Sequence, residues 1–291
     1  MTEHNQQIED REAIARRANE RRLGVAFALA EDIGSGDITS LLVPASEQAG
    51  ARIISRENAI VCGIDWVSEA FHQVDAKTKL EWHVQDGGQV VPDQLLVRVT
   101  GSARSLLTAE RVALNFLQTL SGTATKAAAY AKLIEGTGVK LLDTRKTLPG
   151  MRSGQKYAIS CGGCFNHRHG LFDAFLIKEN HIAAAGSIEK AVAEARRISP
   201  AAPVEVEVES LAEFEIALLS KADIIMLDNF SLEDLHTAVG INKGQAKLEI
   251  SGNVTDKTIG PLAATGVDFI SIGDLTKSVQ AVDLSMRMDG T

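Results

Sequence analysis

The chain has 291 residues, 45% apolar and 23% charged, enough for one large α/β barrel or for two domains with full cores. A formal net charge of −8 argues against a nucleic-acid or anionic-membrane surface, since both need a spread of positive charge. No run of about 18 apolar residues is present, residues 1–22 lack the apolar core of a signal peptide, and three cysteines (Cys62, Cys161, Cys164) suggest no disulfide framework; the expectation is a cytoplasmic protein.

Residues 1–22 read as a polar helix. Leu23, Val25, Ala26, Phe27, Ala28 and Leu29 follow as a segment able to dock. The Gly- and Asp-rich run EDIGSGDIT (31–39) reads as a turn rather than a metal loop. From Gly50 to Thr100 the pattern is strand-like: ARIISRE, AIVCG, a short helix from Asp65 to Phe71, KLEWHV, the turn DGGQVVPD, and QLLVRV. This predicts a small α+β domain on antiparallel strands. Ser102 to Ile134 reads as helix, with Gly122 marking a break.

After Gly138 short apolar runs alternate with helical stretches: VKLLD (139–143), DAFLIK (173–178), VEVEV (204–208), DIIML (223–227), KLEI (247–250) and DFISI (268–272). Strands alternating with helices predict parallel βα units. With no dinucleotide-type glycine fingerprint, a closed or nearly closed α/β barrel is favoured, and its chemistry belongs at the C-terminal strand ends. Those ends carry Asp143 to Lys146, Lys178 to His181, Glu207 to Glu209, Asp228-Asn229, Ser251 to Asn253 and Gly273-Asp274.

VEVEVES is the sharpest anomaly. Alternation sends Val204, Val206 and Val208 toward the helices and Glu205, Glu207 and Glu209 toward the barrel interior, where carboxylates need cations or a metal. Lys146, Lys178 and Mg²⁺ are the expected partners. Cations gather between Arg111 and Lys178 (Arg111, Arg145, Lys146, Arg152, Lys156, His167, Arg168, Lys178), which in an acidic chain points to a small anionic ligand. SGN (251–253) and SIGD (271–274) offer backbone N–H groups suited to phosphate. CGGCFNHRH (161–169) places Cys161, Cys164, His167 and His169 near one another, but their spacing is tight for structural zinc, and anion recognition is the preferred use of His167 and Arg168.

From about Leu29 to the C-terminus the sequence resembles quinolinate phosphoribosyltransferases. The resemblance rests on ERVALNFLQTLSGTAT (110–125), DTRKTLPGMR (143–152), KYAISCGGCFNHRHGLFDAFLIKENH (156–181), VEVEVES (204–210), IMLDN (225–229), LEISGNVT (248–255) and GVDFISIGDLTKSVQAVDLSMR (266–287). It implies an N-terminal α/β sandwich domain (29–121) and an irregular α/β barrel (122–277), flanked by a helical segment (1–28) and a C-terminal helix or tail (278–291). It further implies Mg²⁺ carried with phosphoribosyl pyrophosphate, no organic cofactor, and a homodimer in which Arg111 reaches the neighbouring site. By motif, Arg111, Arg145, Lys146, His167, Arg168 and Lys178 would hold the quinolinate carboxylates, Thr144, Ile272 and Asp274 would also bind substrate, and Lys146, Lys178, Glu207 and Asp228 would be catalytic. Glu207 and Asp228 would face the ribose and the metal-pyrophosphate, Ser251, Gly252, Asn253 and Gly273 would line the 5′-phosphate, and Lys277 would lie near phosphate. Two departures stand out: Cys164 replaces the last glycine of the family's run of three, and Asp274 replaces a small residue. The rivals are a same-fold enzyme for nicotinate or another pyridine or pyrimidine carboxylate, a transport relative without the sugar-phosphate side, and a zinc module.

Overall fold

The computed structural model describes residues 3–290, with side chains from Ile14 onward. In chain order the elements are α1 (Glu3–Ile33), β1 (Gln48–Ser55), β2 (Ala59–Ile60), α2 (Ile64–Val74), β3 (Lys79–Trp82), β4 (Gln89–Val90), β5 (Leu95–Ser102) and α3 (Ala103–Leu133). There follow β6 (Lys140–Leu142), α4 (Arg152–Cys161), β7 (Phe175–Ile177), α5 (Glu179–Ala185), α6 (Ile188–Ile198), β8 (Val204–Val208) and α7 (Leu211–Leu219). The chain closes with β9 (Ile224–Asp228), α8 (Leu232–Asn242), β10 (Lys247–Ser251), α9 (Ile259–Ala263), β11 (Phe269–Ser271), α10 (Asp274–Lys277) and β12 (Leu284–Met288). They form two compact units: residues 1–127, 147–162 and 278–291, and residues 128–146 and 163–277.

The first unit is built on the antiparallel sheet β12-β1-β5-β3, as the strand-like pattern predicts. Alternate residues of β1 and β5 (Ala51 and Ile53, Val97 and Val99) are fully buried, with Phe71, Leu106 and Leu117 from the helices. Three expectations change. The expected C-terminal helix or tail instead contains β12, which pairs with β1 from Ala51↔Met288 to Ser55↔Leu284, because β1 offers it an open edge. The N-terminal helix does not stop near residue 22 but runs to Ile33, burying Val25 and Leu29 while leaving Phe27 exposed. Gly122 is not a break: α3 passes through it, and a side chain there would bring its Cβ within 2.0 Å of the Gln280 carbonyl oxygen. The glycine serves close backbone approach. Of the segment 31–39, residues 31–33 belong to α1 and only 34–39 turn, with Asp37 Oδ1 accepting from the N–H groups of Thr39 and Ser40.

The second unit carries the six expected strands as one parallel sheet, ordered β6-β11-β10-β9-β8-β7. The sheet is open between β6 and β7, so the barrel is irregular with fewer than eight strands. Phe165 partly covers the free edge of β6: its N–H donates to the Leu141 carbonyl at 2.8 Å and its own carbonyl accepts from Asp143 N–H at 3.0 Å. On β8 the three valines are fully buried on the side of α6 and α7, while Glu205 and Glu207 point inward. Glu209 lies past the strand and is exposed, so only two of the three glutamates enter the barrel; its N–H donates to Glu213 at the start of α7.

Candidate active site

The C-terminal strand ends of the second unit surround a cavity of about 340 Å³ lined by Thr144, Arg145, Lys146, His167, Arg168, Leu176, Lys178, Glu207, Met226, Glu249, Ser251 and Ser271. Each inward residue follows from period-2 alternation. Leu176 and Lys178 extend along β7, Glu205 and Glu207 along β8, Met226 and Asp228 along β9, and Glu249 and Ser251 along β10. Ladder register sets the layers, with Glu207 opposite Met226, Met226 opposite Glu249, and Asp228 opposite Ser251.

Four cations meet at the rim. Arg168 is held below the ordinary guanidinium range, first by burial and then by the nearby charge of Arg145. Lys178 pairs with Glu207, its side chain 40% exposed against 12% for the carboxylate. Lys146 lies across Gly273, where an added Cβ would come 3.0 Å from its Cδ, and Thr276 of α10 donates to the Lys146 carbonyl at 2.8 Å. The α10 turn thus fixes the loop that carries two of the cations.

Buried carboxylates form the floor. Asp143, fully buried, accepts from the backbone N–H of His167 at 2.9 Å and from Asn166 Nδ2 at 2.8 Å, tying the 166–168 loop to β6. His167 Nε2 faces Glu205 Oε2 at 3.0 Å and Glu249 Oε2 at 3.5 Å, and His167 Nδ1 accepts from Arg168 N–H at 2.7 Å. The expected partners of Glu205 were lysines; His167 takes that place, because Lys178 reaches only the outer carboxylate of the strand. Glu249 is pushed up to about 8, first by burial and then by Glu205, with His167 opposing.

Beside the cavity the ends of β9 and β10 interlock. Asn229 (φ 57°), Gly252 (φ 93°) and Asn253 (φ 50°) are all left-handed; a Cβ at Gly252 would fall 2.1 Å from Asn229 Oδ1. Asn253 Nδ2 donates to that same oxygen at 3.1 Å, and Asn229 Nδ2 donates to Asp228 at 2.7 Å. Of the predicted residues, Thr144, Arg145, Lys146, His167, Arg168, Lys178, Glu207 and Ser251 line the cavity. Asp228, Gly252 and Asn253 belong to the interlock, Ile272 is buried with its N–H on the Leu142 carbonyl, and Asp274 and Lys277 open and close α10. Burial raises the Tyr130 hydroxyl, and the charge of Asp274 adds to that. Arg111 is exposed on α3 in the first unit.

Glu249, Ser271, Met226 and Leu176 were missed. KLEIS repeats in miniature the alternation of VEVEV, and that signal was available for Glu249. Among the described residues, the three-ligand group with metal-like spacing is His167, Glu205 and Glu249, not the cysteine-histidine run. Cys164 is buried and its thiol is pushed up to about 12 by burial and by Asp143, while the free thiols of Cys161 and Cys62 share a hydrogen bond in the first unit. The left-handed φ of the glycine run is at Gly163 (84°), not at Cys164, so the cysteine is conformationally tolerated.

Comparison with known proteins matches residues 37–121 to the quinolinate phosphoribosyl transferase N-terminal domain and residues 123–287 to the C-terminal domain of that family. The chain belongs to the quinolinate phosphoribosyl transferase family. It is 40% identical over 269 residues to the nicotinate-nucleotide pyrophosphorylase [carboxylating] of Mycobacterium leprae, covering 90% of this chain and 94% of that one. A probable enzyme of the same name from Bacillus subtilis is 37% identical over 257 residues, covering 88% and 89%. The solved nicotinate-nucleotide pyrophosphorylase of Francisella tularensis superposes with a TM-score of 0.91 at 48% identity, covering 94% and 97%. Family membership fixes the reaction class as a decarboxylating phosphoribosyl transfer to quinolinate, a step of NAD biosynthesis.

Proposed function

We propose that this cavity binds quinolinate between its cationic rim and its apolar walls, and that Glu207 and Asp228 serve the phosphoribosyl pyrophosphate side. The observation that carries this reading is the crowding of Arg145 and Arg168, with Lys146 and Lys178, around a cavity walled by Leu176 and Met226. Arg145 and Arg168 repel one another, and an aromatic dicarboxylate relieves that repulsion while its flat ring lies on the apolar walls. A monocarboxylate would leave part of that charge unmatched.

As pyrophosphate departs from C1 of the ribose, positive charge grows on the sugar, and Glu207 and Asp228 offset it. The ring nitrogen attacks C1 and becomes cationic. The adjacent C2–carboxylate bond then breaks, CO₂ leaves, the electron pair remains on C2 beside the positive nitrogen, and C2 takes up a proton. The positive nitrogen of the substrate's own pyridinium stabilises that in-plane pair as an ylide, so no organic cofactor enters this scheme. Mg²⁺ carried by the second substrate would be held mainly by substrate oxygens, with Asp228 and the Lys178-paired Glu207 facing it, and would offset the charge of the leaving pyrophosphate. The backbone of Gly252, Asn253 and Gly273 serves the 5′-phosphate, with Lys277 nearby. The active form is a cytoplasmic homodimer to which each chain lends Arg111 for its neighbour's site. The test is an assay with phosphoribosyl pyrophosphate and Mg²⁺ that compares quinolinate with nicotinate. Nucleotide formation with one CO₂ per turnover from quinolinate alone is expected; equal use of nicotinate overturns the assignment of the rim.

A further inference from the structure

A dianion-binding cavity floored by carboxylates is an electrostatic contradiction unless the floor has a task of its own. Glu249 is fully buried and Glu205 is 2% exposed. Both Glu249 oxygens and Glu205 Oε1 lack a hydrogen-bond partner among the described residues. Groups buried in this way cost several kcal/mol unless they share a proton or hold a cation. They come from different strands, β8 and β10, yet their oxygens converge on one atom, Nε2 of His167.

The hydrogen bonds continue outward from that atom. Nδ1 of His167 accepts the N–H of Arg168, so the ring proton sits on Nε2 and points at Glu205. Glu205, the imidazole and the Arg168 backbone are therefore hydrogen-bonded in series, with Glu249 packed against the same Nε2 at 3.5 Å, and the last member carries a guanidinium of the rim. We propose that Glu205 and Glu249 are positioning residues for the acid substrate, acting through His167 to fix the Arg168 segment against which a substrate carboxylate binds. Holding a proton on Glu249 leaves the pair with one negative charge rather than two, which limits repulsion of the incoming dianion. Burial and the neighbouring Glu205 both favour that proton. The inference rests on the acid substrate occupying this cavity.

The test combines Glu249→Gln and Glu249→Ala, calorimetry with each substrate, and nitrogen-15 spectra of the histidine rings. Glutamine copies the shape and neutrality of the protonated acid, so Glu249→Gln is expected to hold quinolinate affinity within about three-fold, whereas Glu249→Ala weakens it by about ten-fold or more by loosening Arg168. Affinity for phosphoribosyl pyrophosphate with Mg²⁺ stays unchanged in both. The wild-type spectrum is expected to show His167 as the Nε2–H tautomer, and Glu249→Ala to shift it toward a mixture. An Nδ1–H ring or an imidazolium in the wild type overturns the proposal whether or not any variant folds and whichever acid binds. So does an alanine variant that keeps quinolinate affinity, or one that loses both substrates equally. One equivalent of divalent metal that survives a chelator in the wild type and is missing from Glu249→Gln would replace the shared proton by a metal site and overturn it as well.

Discussion

The rim and the floor of the cavity are built from the same strands and obey opposite electrostatic rules. At the rim Lys178 and Glu207 are partly solvated and paired one to one, so each can exchange its partner for substrate. Two residues deeper on the same strand, Glu205 is buried and locked onto His167. The difference teaches that depth, not residue type, divides groups with exchangeable partners from groups committed to a fixed one. In a low-dielectric interior a charge must be committed to a fixed partner, whereas at a wet mouth it can be exchanged at little cost.

The largest expected effect lies at the rim. Arg145→Ala removes a preorganised charge and is expected to lower kcat/KM at least about 100-fold, roughly 3 kcal/mol of transition-state stabilisation, in steady-state kinetics. Near-normal turnover would erase the distinction by making the rim redundant. Glu207→Gln is expected to lower kcat by about ten-fold or more while quinolinate affinity measured by calorimetry stays within about three-fold; loss of quinolinate binding would move Glu207 from the sugar side to the acid side. The third effect belongs to the floor and is a pH dependence. Glu249 has a folded-state pKa of about 8 against an ordinary 4.5, so between those values the folded protein binds the extra proton, and Glu249 erodes stability as pH rises through that window. Thermal melts from pH 5 to 9 are expected to fall less steeply in Glu249→Gln than in the wild type; identical slopes would mean that Glu249 is ionised throughout. The smallest effect is that of Cys164→Gly. The cysteine needs no positive φ, so restoring glycine is expected to change stability by no more than about 1 kcal/mol in denaturant titration and to leave KM for quinolinate unchanged.

Much of this architecture was legible in the sequence. The six βα strands announced themselves because buried parallel strands are short apolar runs ended by polar residues, and VEVEV disclosed its inward face through alternation alone. Glu249 was passed over because a single carboxylate in KLEIS makes no pattern, though it occupies the same kind of position as Glu205. The strand of residues 284–288 was missed since LSMRM carries no periodicity of its own and becomes a strand only through its partner β1. Gly122 reads as a helix break because a sequence shows the glycine but not the carbonyl of Gln280 that needs the space. Residues 147–162 join the first unit although both chain neighbours belong to the second, which no local signal encodes.

The pairing of β12 with β1 has a consequence for how the protein is made. When residue 102 leaves the ribosome, β1, β3 and β5 are all present, but one edge of β1 still lacks its partner, which is encoded after the entire second unit. At ordinary elongation rates of about 5–20 residues per second, that edge waits on the order of 10–40 s. For that interval the nascent chain displays an open strand able to pair with another nascent chain. The strand of residues 284–288 thus closes a sheet begun at Gln48, and its emergence ends this exposure.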